Sequence, residues 1–156
     1  MAALIRALLA GAAAGAAGTT ALNGMTYLDI AVRGRPSSST PEDSVDRVAE
    51  VAGLDIPGDG EARQNRLSGL GALTGLVTGV SVGALAGLLT AKLRVPLPVL
   101  SVLVGTAAMA GSNAPMTALG VTDPRTWDAT SWLADAIPHL AYGGVTAAVL
   151  TALRKG

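Results

Sequence analysis

The chain has 156 residues, of which 50% are hydrophobic and 14% are charged, and its formal net charge is zero. Soluble domains usually carry about 25% charged residues, so this composition favours a membrane protein. The absence of cysteine excludes disulfides, thiolate catalysis and thiolate metal sites. No basic stripe is present to neutralise phosphates, which argues against nucleic acid as a partner.

The first apolar segment runs from residue 7 to residue 32 and is long enough to cross a bilayer. Its beginning is similar to a signal peptide, but the apolar run continues too far, so we predict an uncleaved span. Small and polar residues recur every three or four positions: Gly11, Gly15, Thr19, Asn23, Thr26 and Asp29. This stripe predicts a helix-packing surface, although an alanine-rich helix also produces glycines such as Gly11 and Gly15 at this spacing by chance.

A polar segment follows the first span. Thr40 and Pro41, followed by two acids, are typical of a helix start. Valines then recur on one face, and Gly53 favours a stop. We predict a short amphipathic helix over residues 41–52, on the membrane surface or at the mouth of the bundle, with a solvated acidic loop as the alternative. Residues 54–66 are predicted to form a turn into the second span.

The second span, residues 67–91, has a glycine at every fourth position: Gly71, Gly75, Gly79, Gly83 and Gly87. In water each glycine would cost the helix about 1 kcal/mol relative to alanine, so the pattern requires a compensating contact. Close approach of a second backbone supplies one. We therefore predict a glycine zipper that receives either the first span of the same chain or a second copy.

Two further spans complete the chain. A tight basic turn leads into the third span, residues 98–119, in which Pro115 is expected to free a carbonyl that Ser112 or a neighbouring helix satisfies. A loop with two tryptophans, which suit the membrane interface, precedes the fourth span, residues 131–153. The predicted fold is an all-α, integral membrane four-helix bundle that forms a single membrane domain over residues 1–156.

Antiparallel order of the spans places several polar residues near one level of the bundle. The residues predicted to line a cavity there are Asn23, Thr26, Asp29, Asn113, Asp135, His139 and Tyr142. Asp135 and His139 lie one helical turn apart, so the carboxylate can orient the imidazole as a proton acceptor. The alternative is a structural hydrogen-bond network in which His139 satisfies backbone groups freed by Pro138. No metal site, cofactor or enzyme motif is indicated, so no enzymatic activity is expected.

The charges predict an orientation. With four spans, both termini and the turn between the second and third spans share one side, which carries Arg6, Lys92, Arg94, Arg154 and Lys155 and no Asp or Glu. The other basic residues and all eleven acids lie on the opposite side. The basic residues near the termini occupy short segments, where the positive-inside rule applies best. We predict a multi-pass protein of the cell membrane with cytoplasmic termini.

Three stretches carry a resemblance to known proteins. They are GTTALNGMTYLDIAVRGRPSSSTPEDSV, NRLSGLGALTGLVTGVSVG and the region from GVTDPRTW to PHLAYGG. Together they resemble a group of small four-span integral membrane proteins of actinobacteria that are recorded mostly as uncharacterised. The resemblance covers most of the chain and implies a four-span fold, but it implies no activity and no functional residues.

The predicted function is that of a structural or interaction subunit of a membrane assembly. Its expected partners are membrane lipids and either a second copy of the chain or a larger membrane protein. The alternative is a small transporter or channel, proton-coupled through Asp135 and His139. A third hypothesis is the binding of a lipid or an isoprenoid in a groove of small residues.

Overall fold

The computed structural model of the chain describes residues 1–155 and contains five α-helices. These are α1 (Ala2–Arg33), α2 (Thr40–Val51), α3 (Gly60–Leu89), α4 (Leu97–Ala118) and α5 (Ala129–Leu153), with a 3-10 turn at Pro124–Thr126. Within residues 1–155 there is no β-strand. Four of the helices are long and apolar enough to cross a membrane. The prediction of an all-α bundle with four such helices is confirmed.

Helix α3 begins at Gly60, earlier than the apolar segment that predicted it. Residues 60–66 were predicted as part of a turn, and that prediction was wrong. Asp59 precedes the helix in extended conformation and Glu61 lies in the first turn, where a negative charge favours the positive end of the helix dipole. At 1.5 Å per residue, the 30 residues of α3 extend about 45 Å, which exceeds a bilayer core of about 30 Å.

Helix α2 packs on the first turns of α3. It ends at Val51, after which Gly53 adopts a left-handed conformation with φ of 66°. The N–H of Leu54 then donates to the carbonyl of Ala49 at 2.9 Å, a pattern that closes a helix at its C-terminus. Ala49 is buried, so one side of this short helix is covered by the bundle.

The bundle is organised around α1 and α5. Helix α1 packs extensively on both α3 and α5, and α4 packs mainly on α5. The contact between α3 and α4 is smaller. The buried core comprises Ala14, Leu100, Val104, Ala108, Tyr142, Ala147 and Leu150. Because Tyr142 is the single aromatic residue in this core, close packing depends on small and aliphatic side chains.

The bundle has two chemically different ends. The terminal end contains the start of α1, the end of α5 and the turn between α3 and α4, and there the guanidinium of Arg154 donates to the carbonyl of Gly87 at 2.9 Å. The loop end contains α2 and the connection between α4 and α5, and there Arg47 donates to the carbonyl of Leu119 at 3.2 Å. These hydrogen bonds hold helices together at opposite ends of the bundle.

Candidate functional site

Helices α1 and α3 approach each other through facing glycines. A Cβ atom added to Gly83 would lie 2.6 Å from both the carbonyl oxygen of Gly11 and the backbone nitrogen of Gly15. A Cβ on Gly87 would lie 2.8 Å from the Cα of Gly11. These distances are well below an ordinary carbon contact of about 3.5 Å, so the two backbones pass where a side chain would not fit.

The other glycines of the α3 series have different surroundings. A Cβ on Gly79 would lie 3.3 Å from the Cβ of Thr19 on α1, and a Cβ on Gly71 would lie 3.0 Å from the backbone of Pro41 on α2. Within the described chain, Gly75 has no neighbour within 4 Å of a Cβ position. Four of the five glycines therefore contact the same chain, and the glycine zipper as a motif for association between chains stays a prediction.

The surroundings of Gly75 form a longer exposed stretch, which we call the uncovered segment of α3: residues 72–77, all of which are exposed. Because a helix turn contains 3.6 residues, these six consecutive exposed positions extend over more than one full turn of the helix. Leu73, Leu76 and Val77 in this segment are 58%, 46% and 65% exposed. The segment lies between the contact of α3 with α2 and its contact with α1.

Tyr142 occupies the place where α5 meets α1 and α3. Its side chain is fully buried, and its hydroxyl donates to the carbonyl of Gly79 at 2.6 Å. A Cβ on Gly18 of α1 would lie 2.9 Å from the Tyr142 ring, so glycine is needed there as well. Thr19 and Thr146 are buried in the same layer. Tyr142, which was predicted to line a cavity, thus lies in a closely packed interior.

A separate set of polar residues joins α4 to α5, and we call it the α4–α5 polar cluster: Ser112, Asn113, Asp135 and His139. The Asn113 amide donates to Asp135 Oδ2 at 2.7 Å. His139 Nδ1 lies 2.7 Å from the Asp135 carbonyl oxygen, and Nε2 lies 3.4 Å from the Ser112 hydroxyl. Because a carbonyl only accepts, Nδ1 carries the proton of this hydrogen bond. The carbonyl contacted by His139 is not the one that Pro138 frees.

Ser112 likewise does not compensate for the proline on its own helix. Pro115 removes the hydrogen bond that the Gly111 carbonyl would otherwise accept. The Ser112 hydroxyl instead lies 3.1 Å from the carbonyls of Ala108 and Met109. A helical side chain leans over the preceding turn, so a serine reaches carbonyls three and four residues earlier rather than the one just before it. Ser112 therefore does not satisfy the freed carbonyl, and the alternative, that a neighbouring helix satisfies it, stays a prediction.

The polar residues on α1 have other contacts. Thr26 donates to the carbonyl one turn earlier at 3.0 Å, and Asn23 is half-buried. Asp29 forms ion pairs with Arg33 at 2.8 Å and with Arg35 at 2.6 Å, at the loop end of α1. Of the residues predicted to share one cavity, the structure therefore brings Asn113, Asp135 and His139 into direct contact and places those of α1 in contacts of their own.

Two interhelical hydrogen bonds end on glycine carbonyls of α3, and sequence reasoning missed both. Tyr142 donates to Gly79, and Arg154 donates to Gly87. A glycine carbonyl is accessible from the side because no Cβ shields it. The regular spacing of the glycines could have predicted these hydrogen bonds, since each glycine is a position where a side chain of another helix can reach the backbone of α3.

The loop between α4 and α5 is held by two aspartates. The side-chain hydrogen bond from Arg125 lowers the pKa of Asp123, and two Arg125 nitrogens lie 2.9 Å from its carboxylate oxygens. Asp128 caps α5 by accepting from the Ser131 backbone N–H at 2.7 Å, and hydrogen bonding to Ser131 lowers the pKa of Asp128. Both carboxylates are thus stabilised in their charged form.

No protein-family model matches the chain, no curated protein matches it, and no solved structure matches it. The resemblance to small four-span actinobacterial proteins stays a prediction. The four long apolar helices support a small multi-pass membrane protein.

Proposed function

We propose that the protein is a small subunit of a membrane assembly, and that it associates with another transmembrane helix through the uncovered segment of α3. The observation that carries this proposal is the exposure of all six residues 72–77, with Gly75 among them and no neighbour within 4 Å of its Cβ position in the described chain. The partner is a second copy of the chain or a larger membrane protein.

Glycine distinguishes this segment from an ordinary lipid-facing surface. Lipid tails are as apolar as leucine, so exposed leucines alone do not drive helix association in a bilayer. A glycine allows a second backbone to come close and gain van der Waals contacts. Gly71 and Gly79, one turn away on either side, already make such contacts within the chain. Gly75 continues the same series, and a partner helix would supply the contact that it lacks.

The surface around Gly75 is suited to a helix without polar residues. The hydroxyl of Thr74 donates to the carbonyl of Leu70 at 2.8 Å, so it needs no external partner. Leu73 and Leu76 are both exposed, but they lie together on another side of α3. Ala72 and Thr78, three positions away from Gly75, border it on the helix surface, and a ridge of side chains on the partner helix can lie over Gly75 between them.

Substitution by leucine tests this surface. Gly75→Leu would block close approach and is expected to abolish the oligomer, or to release the co-purifying protein, in native mass spectrometry from mild detergent. Gly24→Leu is the matched control, because Gly24 also lies within a long helix and has no neighbour within 4 Å in the described chain. This control should associate like the wild type.

Two results would contradict the proposal. One is a wild-type protein that is monomeric both by native mass spectrometry and by crosslinking in membranes, with no co-purifying protein. The other is an association that persists unchanged in Gly75→Leu, because the contact would then lie elsewhere on the bundle.

A second candidate function is a small transporter or channel coupled to protons. The direct contact between Asp135 and His139 favours it, since a carboxylate beside an imidazole whose Nδ1 is held by the Asp135 carbonyl is an arrangement suited to proton transfer. Their side chains are 21% and 12% exposed, so the cluster is shielded but not closed. Proton-driven flux into liposomes should fall in His139→Ala and Asp135→Asn and persist in Asp128→Asn. Equal flux in all three variants would eliminate this mechanism.

We also propose that the termini are cytoplasmic and that the membrane is the cell membrane. The five basic residues of the terminal end, in short segments without Asp or Glu, support this orientation. The native chain has no cysteine, so single cysteines report on orientation directly. A membrane-impermeant maleimide applied to intact cells should label Ser37→Cys at the loop end and leave Lys155→Cys unlabelled. The reverse pattern would invert the topology.

A further inference from the structure

An apolar groove lies at the terminal end of the bundle, between the beginning of α1 and the end of α5. Its volume is about 610 Å³, and its lining includes Ala2, Ile5, Leu9, Ala13 and Leu153 together with Arg6. Binding pockets for small molecules typically measure roughly 300–1,000 Å³. Ile5 and Leu9 are 51% and 62% exposed, so the groove opens on the outer surface of the bundle. This position is accessible to lipid.

Arg6 places a positive charge at this groove. Within residues 1–155, Arg6 has no acidic partner, and among the described lining residues it is the one charged group. Gly87 of α3 packs against the carbonyl of Ala7, the residue that follows Arg6 in α1. The carbonyl of Gly87 accepts a hydrogen bond from Arg154. Arg154 is therefore held on α3, and Arg6 is the basic side chain that lies at the apolar groove.

The basic residues of the loop end are in a different situation. Five of its arginines form ion pairs with Asp or Glu: Arg33, Arg35, Arg47, Arg63 and Arg125. At the terminal end the sequence offers five basic residues and no Asp or Glu. At the surface of a membrane, anionic lipid headgroups attract such basic residues and can supply their counter-charges.

We infer that this groove binds an anionic phospholipid, with an acyl chain along Ile5, Leu9 and Leu153 and with the phosphate at Arg6. The apolar lining matches the hydrocarbon tail, and a long arginine side chain can keep its charge at headgroup level while its stem lies on apolar surface. This inference is independent of the proposed association through α3, since the groove lies between α1 and α5. Either one can fail without the other.

Native mass spectrometry with added phosphatidylglycerol or phosphatidylcholine tests the inference. The wild type is expected to retain phosphatidylglycerol in preference to phosphatidylcholine. Arg6→Gln should reduce the retained phosphatidylglycerol about fivefold, the ratio typical of one basic residue at a charged membrane surface. Arg6→Lys should retain most of it. Arg125→Gln, which removes the same charge at the loop end, should behave like the wild type.

The apolar part of the site has its own test. Ala13→Leu would place a larger side chain in the groove and is expected to reduce retention of phosphatidylglycerol while Arg6 is intact. Helix content measured by circular dichroism identifies any variant that fails to fold. If Arg6→Gln fails to fold, the retention of phosphatidylglycerol by Arg6→Lys still tests the inference. Equal retention of both lipids by the wild type, or equal behaviour of Arg6→Gln and Arg125→Gln, would overturn the inference.

Discussion

Replacement of Gly83 by alanine tests the close packing of α1 on α3. The added Cβ would lie 2.6 Å from the Gly11 carbonyl oxygen and from the Gly15 nitrogen. An ordinary contact requires about 3.5 Å, so the two helices must separate by roughly 1 Å at this point. Both obstructing atoms belong to the backbone, and no rotamer change can relieve the overlap.

The size of the effect follows from two opposing contributions. Overpacking of a close contact costs about 1–3 kcal/mol, whereas alanine improves helix propensity over glycine by up to about 1 kcal/mol. Because both obstructing atoms are backbone atoms, the overpacking cost is expected in the upper part of its range, about 2–3 kcal/mol, so Gly83→Ala should lower the free energy of unfolding by about 1–2 kcal/mol. Gly144→Ala is the matched control, because in the described chain nothing lies within 4 Å of its Cβ position. It should raise the same quantity by about 0.5–1 kcal/mol.

The assay is reversible unfolding in mixed micelles, with a rising proportion of denaturing detergent. Circular dichroism reports the helices, and the fluorescence of Trp127 and Trp132 reports the start of α5. The two substitutions are chemically identical and are expected to have opposite signs. If Gly83→Ala were as stable as the wild type, the close backbone contact would be refuted. If Gly144→Ala were equally destabilised, the effect would belong to alanine substitution in general.

Two further predictions concern single hydrogen bonds and the loop. Tyr142→Phe removes the donor to the Gly79 carbonyl and should lower the free energy of unfolding by about 1 kcal/mol in the same micelle titration; an unchanged value would mean that the bond gives no net stabilisation. Folding lowers the pKa values of Asp123 and Asp128, so the two charged carboxylates stabilise the folded loop at pH values above 3.8, the ordinary aspartate pKa. This stabilisation is lost as the pH falls through the lowered pKa values. The fluorescence of Trp127 should therefore change as the pH falls below 3.8, and the change should be smaller in Asp123→Asn. Fluorescence that is independent of pH from about 5 to about 2 would contradict the prediction.

The fold could be predicted from sequence because hydropathy identifies the long apolar helices. Hydropathy does not, however, show where each helix begins and ends. Helix α3 illustrates the limit. Its apolar part begins at Leu67, whereas the helix begins at Gly60. The intervening residues are polar, so hydropathy gives no reason to include them. Good helix formers such as Ala62 and Gln64 continue the helix outside the apolar segment.

The candidate site shows what spacing alone cannot supply. Regular glycines define one side of α3, but the neighbour that covers each glycine depends on how the helices cross. Pro41 covers Gly71, Thr19 covers Gly79, and Gly75 between them stays open in the described chain. On α5, Asp135 and Tyr142 lie on nearly the same side, yet the first meets Asn113 on α4 and the second meets Gly79 on α3. A single helix face changes neighbours along its length, and this change is set by tertiary packing.

Gly79 joins three helices at one residue: its missing side chain admits Thr19 of α1, and its carbonyl accepts the hydroxyl of Tyr142 on α5. Helices that depend on one shared position are expected to open together as a cooperative unit. Helix α4 stands apart, because it packs chiefly on α5 and only lightly on α3. Amide hydrogens of α4 should therefore exchange with solvent before those of α1, α3 and α5, and their exchange would report the α4–α5 contact separately from the contacts at Gly79.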